Sequence, residues 1–419
     1  METDIKKNPG LLKLDLYCKG MKIDESCKTG EEGRGIFRTR AGLGSGLELI
    51  LPGELWTNVP VLEPFVEKSP YILKREDGKY IIYRNTDGAD EKIVEIKLPP
   101  QPKFYEKLTS NGTPMRKIGV LQGTYLGIYP TGVCEYWLQE PKQQCRFCSV
   151  GLNLGVQEEV EKRVQDVVET VIEARREMGI TYVHFNTGFY EGDSFMDQLE
   201  PYIIAVKKET GLLIGVQTPP HHNLSWYHRL KDIGVNQVSF CFELWDKKSF
   251  EDCCPGKNKH FGLDRYLDAV EYCAKLFPTT NGEIIAGLEP PESSIEAIDW
   301  MTGIGAIPTV CIFRPLVGTE WQDVPSPKTE DMIPIFARMY DACIEKGLPM
   351  GIAPNIEVSI VMNPEQGRYL SETPNAYAFK RLKIKLMGIL FRAWFKRYVA
   401  RFDRKNKDRV IGIKEEKAA

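Results

Sequence analysis

The chain is predicted to be an α/β protein built around a partial (β/α)6-type barrel, and three observations carry that prediction. From Arg116 onward, short runs rich in Val, Ile and Phe alternate with longer segments of helical period. Such alternation gives a parallel sheet with helices outside, as a partial (β/α)6 or a full barrel. Ahead of it, strand-length runs are separated by Asp77-Gly78 and Asp87-Gly88, the signature of antiparallel hairpins. Behind it, apolar residues recur every three or four positions among many Lys and Arg, which predicts a basic amphipathic helix.

Three regions follow: 1–115 an N-terminal α+β cap, 116–355 the barrel, and 356–419 a C-terminal basic helical tail. Within the first, Asn8 to Cys27 is a short helical or loop start. Gly30 to Gly46 is glycine-rich but lacks a phosphate-loop ending, so a closely packed or mouth-covering loop is expected. Leu47–Leu51, Tyr71–Lys74, Tyr80–Arg84 and Lys92–Leu98 read as strands, and Leu98 to Phe104 as a linker. In the second region a strand leads through Tyr129 into a cysteine-bearing loop. A helix follows over Val156–Met178, with Val160, Val164, Val167, Val168, Val171 and Ile172 at helical spacing. Strands are then expected at 182–186, 212–216, 237–242, 282–287 and 308–313. The helices between and after them fall at 194–210, 224–233, 262–276, 293–301 and 328–346.

A hydrophobic content of 42% and a charged content of 27% are ordinary for a soluble globular protein. No run of eighteen apolar residues spans a membrane, and METDIKKNPG lacks the apolar stretch of a signal peptide. Eleven cysteines without a secretory signal point to a reducing cytoplasm and to metal chemistry, against a disulfide framework. The net charge of −3 hides an asymmetry, with +10 from residue 375 onward and −13 before it. No nucleic-acid partner is expected.

The chemistry concentrates in Gly132 to Gly155. Cys134, Cys145 and Cys148 are spaced C-x10-C-x2-C, with no fourth cysteine nearby and no His inside the loop. Three sulfurs do not close a tetrahedral zinc site. They would hold three irons of a [4Fe–4S] cluster and leave the fourth open. Buried, inert core cysteines are the competing reading.

This stretch resembles the radical SAM superfamily, although the family's usual first gap is three residues and here it is ten. The resemblance continues at successive strand ends: NTGFYEGD at Asn186, FCFE with Glu243, CCPGK at Cys253 to Lys257, GLEPPE with Glu289, and FRPL with Arg314. Those later elements are similar to the biotin-synthase-related branch. The segment RAGLGSG is similar, more weakly, to an uncharacterised radical SAM family encoded near nitrilases.

The resemblance implies that Cys134, Cys145 and Cys148 ligate a [4Fe–4S] cluster. Its open iron binds S-adenosylmethionine, and Phe147 packs near the adenine. Asn186 and Thr187 would hold the methionine amine, with Gly188 giving it room, and Glu243 the ribose hydroxyls or the ammonium. An electron donor such as flavodoxin or ferredoxin is implied. So is cleavage to a 5′-deoxyadenosyl radical that abstracts hydrogen from a small-molecule or lipid-linked substrate. Cys241, Cys253, Cys254 and Cys311 would permit a second cluster without requiring one.

Five histidines remain, of which the adjacent His221-His222 are expected on a loop surface and His184 in the core. The basic tail, with Trp394, Phe395, Tyr398 and Phe402, is expected either to dock on the acidic body or to touch an anionic membrane peripherally. Two other classes fit the cysteines less fully: a zinc or structural-cysteine protein, and a cluster-free barrel hydrolase or lyase. No substrate-contacting catalytic residue is assigned by the sequence.

Overall fold

The computed structural model describes residues 3–27, 46–86 and 88–406. The glycine-rich loop expected ahead of the first hairpin falls almost wholly within 28–45, outside the described residues, as do Asp87 and residues 407–419. Chain order gives β1 (Lys22–Ile23), β2 (Leu47–Leu51), β3 (Leu55–Val59), β4 (Tyr71–Glu76), β5 (Lys79–Thr86) and β6 (Ala89–Ile96). These are followed by β7 (Val120–Leu121), β8 (Leu126–Ile128), β9 (Tyr182–Asn186), β10 (Leu213–Gln217), β11 (Gln237–Glu243), β12 (Thr279–Ala286) and β13 (Ile307–Ile312).

The main sheet runs β13-β12-β11-β10-β9-β8-β7, and every neighbouring pair from β8 to β13 is parallel. Sequential order in space with a helix on nearly every crossover is the partial (β/α)6 barrel that the alternation predicts. The strands show why the curve has a dry outside and a polar inside. In β9, Val183 and Phe185 are fully buried against the helices, while Tyr182, His184 and Asn186 face inward. The same alternation puts Val238, Phe240 and Phe242 outward in β11, with Gln237 and Cys241 inward. Full burial of a side chain such as Phe240 stabilises the fold by about 1.5–3 kcal/mol.

β7 and β8 form an antiparallel pair. The sequence predicts one continuous strand there, but Gly123 turns the chain at a φ of 82°. A Cβ at Gly123 would lie 2.0 Å from the Glu357 carbonyl, so only glycine fits. The helix expected from Val156 starts at Val164 instead. Gly155 has a φ of 83°, and its N–H bonds the Glu158 carbonyl at 2.8 Å, which ties this stretch into a turn. The buried Lys162 ammonium adds a bond to the Glu159 carbonyl at 2.8 Å.

At the N-terminal end, Asn8 caps the helix Pro9–Lys19 by accepting from the Leu11 N–H at 3.0 Å. β2 pairs with β3, and β4, β5 and β6 form an antiparallel meander that β1 joins in parallel. β1 and β3 are not anticipated from the sequence, β1 because two residues carry no periodic signal. The helix Pro9–Lys19 straddles two cores, sending Leu14 and Tyr17 toward the barrel and Leu12 and Leu16 toward the small sheets. Residues 349–369 run along the open side of the barrel, where the Ser359 carbonyl accepts from Asn58 N–H at 2.7 Å and from the Tyr17 hydroxyl at 2.7 Å. No helix among the described residues is long and apolar enough to cross a membrane.

Candidate active site at the C-terminal mouth of the barrel

The cysteine loop leaves β8 at the C-terminal end of the barrel and is clamped from three sides. Arg146, between the two close cysteines, bonds Glu320 at 3.0 Å and Asp252 at 3.2 Å, while its N–H donates to the Cys253 carbonyl at 3.0 Å. From the helix Pro255–His260, Gly256 packs so tightly that a Cβ would lie 2.6 Å from the Gln143 carbonyl and from the Tyr136 ring. The loop after β9 closes the third side. A Cβ on Gly188 would stand 2.5 Å from the Cys134 Cβ and 2.6 Å from the Tyr129 hydroxyl.

Cys145 lies near enough to raise the proton affinity of the other two sulfurs. Burial holds Cys134 up to about 11, and Cys145 adds to the effect. A hydrogen bond with Cys254, then burial, holds Cys145 well above the ordinary thiol value. Burial, then Cys145, pushes Cys148 up. Against this, donors point at two of the sulfurs. Cys134 accepts from the backbone N–H of Phe189, at 3.4 Å, and of Tyr136. Cys148 accepts from the Val150 N–H. Donors of this kind favour thiolate, the form that binds metal.

Among the described residues, no three His, Cys, Asp or Glu side chains are arranged as a metal-holding group. That includes the second set: Cys241 donates to Glu283 at 3.1 Å, and Cys254 is engaged with Cys145. The chemistry of the donors at Cys134 and Cys148 nevertheless fits a sulfur-ligated cluster. Hydrogen bonds to the sulfurs are how proteins orient and tune such groups. Loading would then release the thiol protons.

Of the other expected residues, Phe147, Asn186 and Glu243 line one cavity of about 1200 Å³ together with Gln217, Cys241 and Glu283, and Thr187 does not. Asn186 donates to the Gln217 side chain. Thr187 hydrogen-bonds Thr131 across the first loop at 3.1 Å. Gly188 is pressed on Cys134 and is absent from the cavity wall.

Glu243 sits at a φ of 66°, where β11 slips register between Cys241 and Glu243. Both residues line the inner face, as strand alternation alone requires. A non-glycine residue held at positive φ is strained, and such strain collects at functional sites. Glu243 pairs with the Lys257 ammonium, which also donates to the Cys241 carbonyl at 2.7 Å and lies 5.3 Å from the Tyr266 ring centre. Burial opposes the Lys257 charge, but Glu243, then Tyr266, holds its pKa well above the ordinary value.

Several contributors were not anticipated as site residues. Lys257 lies on the second short helix after β11, within a motif whose lysine could have signalled it. Gln217 and Glu283 are inward positions of β10 and β12, which the period-2 rule could have flagged. Glu289 faces away from the lumen and accepts from the Trp245 and Asp246 N–H groups at 3.0 Å each. Arg314 reaches the Asn58 carbonyl at 3.0 Å and ties the barrel to β3. His222 bonds Asp193 at 2.9 Å, and His221 is buried where a surface position was expected.

No family model matches this sequence. A curated relative, bacteriochlorophyllide c C-7(1)-hydroxylase of Chlorobaculum limnaeum, is 25% identical over 129 residues, which is 30% of this chain and 32% of the relative. The match thus spans about a third of that protein. Methylornithine synthase (PylB) resembles the fold with a TM-score of 0.40 at 19% identity, over 52% of this chain and 62% of its own. A radical SAM methyltransferase from Sphaerobacter thermophilus does so with a TM-score of 0.38 at 12% identity, over 67% of this chain and 75% of its own.

Proposed function

We propose that the chain is a radical SAM enzyme whose cluster ligands are Cys134, Cys145 and Cys148. One observation carries the reading. Three cysteines gather at the C-terminal mouth of a partial barrel, and N–H donors point at two of their sulfurs. Catalytic groups in barrels of this kind collect at that face. Cys134, Cys145 and Cys148 would hold a [4Fe–4S] cluster, which when bound would supply the one-electron chemistry for cleaving S-adenosylmethionine to methionine and a 5′-deoxyadenosyl radical able to abstract a substrate hydrogen.

The protein's part is to position and to exclude. Asn186 and Thr187 stand at the end of β9, beside the first cysteine, to accept the amine of the cofactor. Gly188 lets that loop approach. Glu243, held in place by Lys257, presents a carboxylate for the ribose hydroxyls. Phe147 lends an apolar wall for the adenine and keeps water from the reacting atoms. The partners on this reading are a one-electron donor such as flavodoxin or ferredoxin and a small-molecule or lipid-linked substrate.

The test is anaerobic. Reconstituted protein with a strong reductant and S-adenosylmethionine should release 5′-deoxyadenosine slowly without added substrate. Absence of that product on chromatography would remove S-adenosylmethionine as cofactor.

A further inference from the structure

The last described helix, Ala378–Lys405, carries apolar residues on two opposite faces. Ile384, Gly388 and Phe395 form the inner one and are buried. Ile384 packs with Ile307, Ile344 and Leu348, and Phe402 lies against Gly211. Arg175 clasps Asp403 with bonds of 2.8 and 2.9 Å. Because Ile307 begins β13 and Gly211 precedes β10, the helix lies under the N-terminal ends of the strands. That end is opposite the cysteines.

The outer face is Phe379, Leu382, Leu386, Ile389, Leu390 and Trp394, spaced by threes and fours. Phe379 is 82% exposed, Leu390 70% and Trp394 54%. Lys383 borders this stripe on one side, and Lys385, Arg392 and Lys396 on the other. Among the described residues no acidic side chain is seen to pair with these four. The helix holds ten Lys and Arg against one acid, Asp403, which Arg175 already holds.

A stripe of this kind, apolar at the centre, basic at the edges and bearing an indole, matches a helix lying in the plane of an anionic bilayer. Charge complementarity favours that occupant over a two-fold pairing of this face with itself. A second such helix would bring its own ten basic residues to the contact.

We propose that Ala378–Lys405 seats the protein on an anionic lipid surface through this outer face, and that the barrel takes an amphiphilic substrate from the bilayer. The cavity supports the second half. It runs from Phe147 and Glu243 at the cysteine end to Thr279 and Ile307 at the far end, and Phe391, Arg392 and Trp394 of the helix line it there. Hydrogen-bonding groups such as Gln217 and Glu283 lie inside, whereas Val358, Ile360 and Met362 make its side wall apolar. The substrate class rests on the proposed function. The docking does not, because it is read without turnover.

The experiment is sedimentation of the full chain with phosphatidylcholine vesicles, with and without phosphatidylglycerol. The protein should pellet with the anionic vesicles only, and added salt should release it. Leu386→Glu with Leu390→Glu alters only the outer face and should weaken binding by about tenfold or more with the melting temperature held. Failure to pellet with anionic vesicles would overturn the docking, as would equal pelleting of the double variant. So would a dimer in light scattering that the double variant abolishes, which would assign the face to a second copy. For the substrate, a fluorescent long-chain amphiphile should bind the full chain and be displaced by filling the lumen with Thr279→Trp. Unchanged binding in that variant would overturn the substrate class alone.

Discussion

Gly188 and Cys134 are in backbone-to-side-chain contact so close that a single methyl on Gly188 would meet the Cys134 Cβ at 2.5 Å. The loop after β9 is therefore fitted to the first cysteine directly. Gly188→Ala must displace one loop or the other, at a cost of about 1–3 kcal/mol for overpacking. The expected outcome is a lower melting temperature and fewer irons per chain after reconstitution. Both are read by calorimetry and iron analysis on the same preparation.

On the proposed reading Glu243 has two tasks, and they separate by mutation. Glu243→Ala should weaken S-adenosylmethionine binding about tenfold or more, as loss of a charged hydrogen bond does, with the iron content unchanged. The same change strands the buried Lys257 ammonium and should lower stability by about 3–5 kcal/mol. Adding Lys257→Met removes the stranded charge and should restore stability without restoring affinity. Calorimetric titration with S-adenosylmethionine, beside denaturant melts, reads the two effects. Unchanged affinity in Glu243→Ala would take Glu243 out of the site.

A pH dependence follows from Glu289. Burial raises its pKa to about 7 from 4.5, and the neighbouring Asp246 carboxylate adds to this, while the Trp245 and Asp246 N–H groups oppose it. The folded state then binds this proton more tightly than the unfolded chain. The contribution to stability is full below about pH 4.5 and is lost as pH rises to about 7. Glu289→Gln should flatten that decline. Melting temperatures of both proteins across this window should converge toward low pH and diverge, in favour of the variant, toward neutrality.

The outward face of β11 offers a test of the barrel itself. Phe240 is fully buried and packs edge-on to Tyr227 at a ring separation of 5.4 Å. Phe240→Ala should cost about 3–5 kcal/mol. Because Phe240 points away from the lumen, iron content in the folded fraction should stay at the wild-type value.

The barrel was legible in the sequence because its strands and helices have different hydrophobic periods over many residues. Val183 and Phe185 alternate with polar neighbours, whereas Val164 to Ile172 repeats every three or four. What escaped was set by tertiary contact. Gly123 splits a run of strand-formers because the Glu357 carbonyl, far along the chain, leaves no room for a Cβ. The bulge at Glu243 has no local signature either, since Phe-Cys-Phe-Glu reads as uninterrupted strand. At the site, cysteine spacing and the order of strand-end motifs located the mouth. Lys257 and Gln217 emerged only from geometry, as partners of residues distant in the chain. The helical tail was visible as basic and apolar, but its two opposite apolar faces needed the structure. Only the placement of Ile384 and Phe395 against the barrel shows which of them is turned outward.

Iron and sulfide analysis after anaerobic reconstitution decides whether Cys134, Cys145 and Cys148 hold a [4Fe–4S] cluster. A brown protein with about four irons per chain is expected, and a colourless one when all three cysteines are replaced by Ala. A wild-type chain that stays colourless, or a triple variant that keeps its iron–sulfur absorbance, would contradict that ligation.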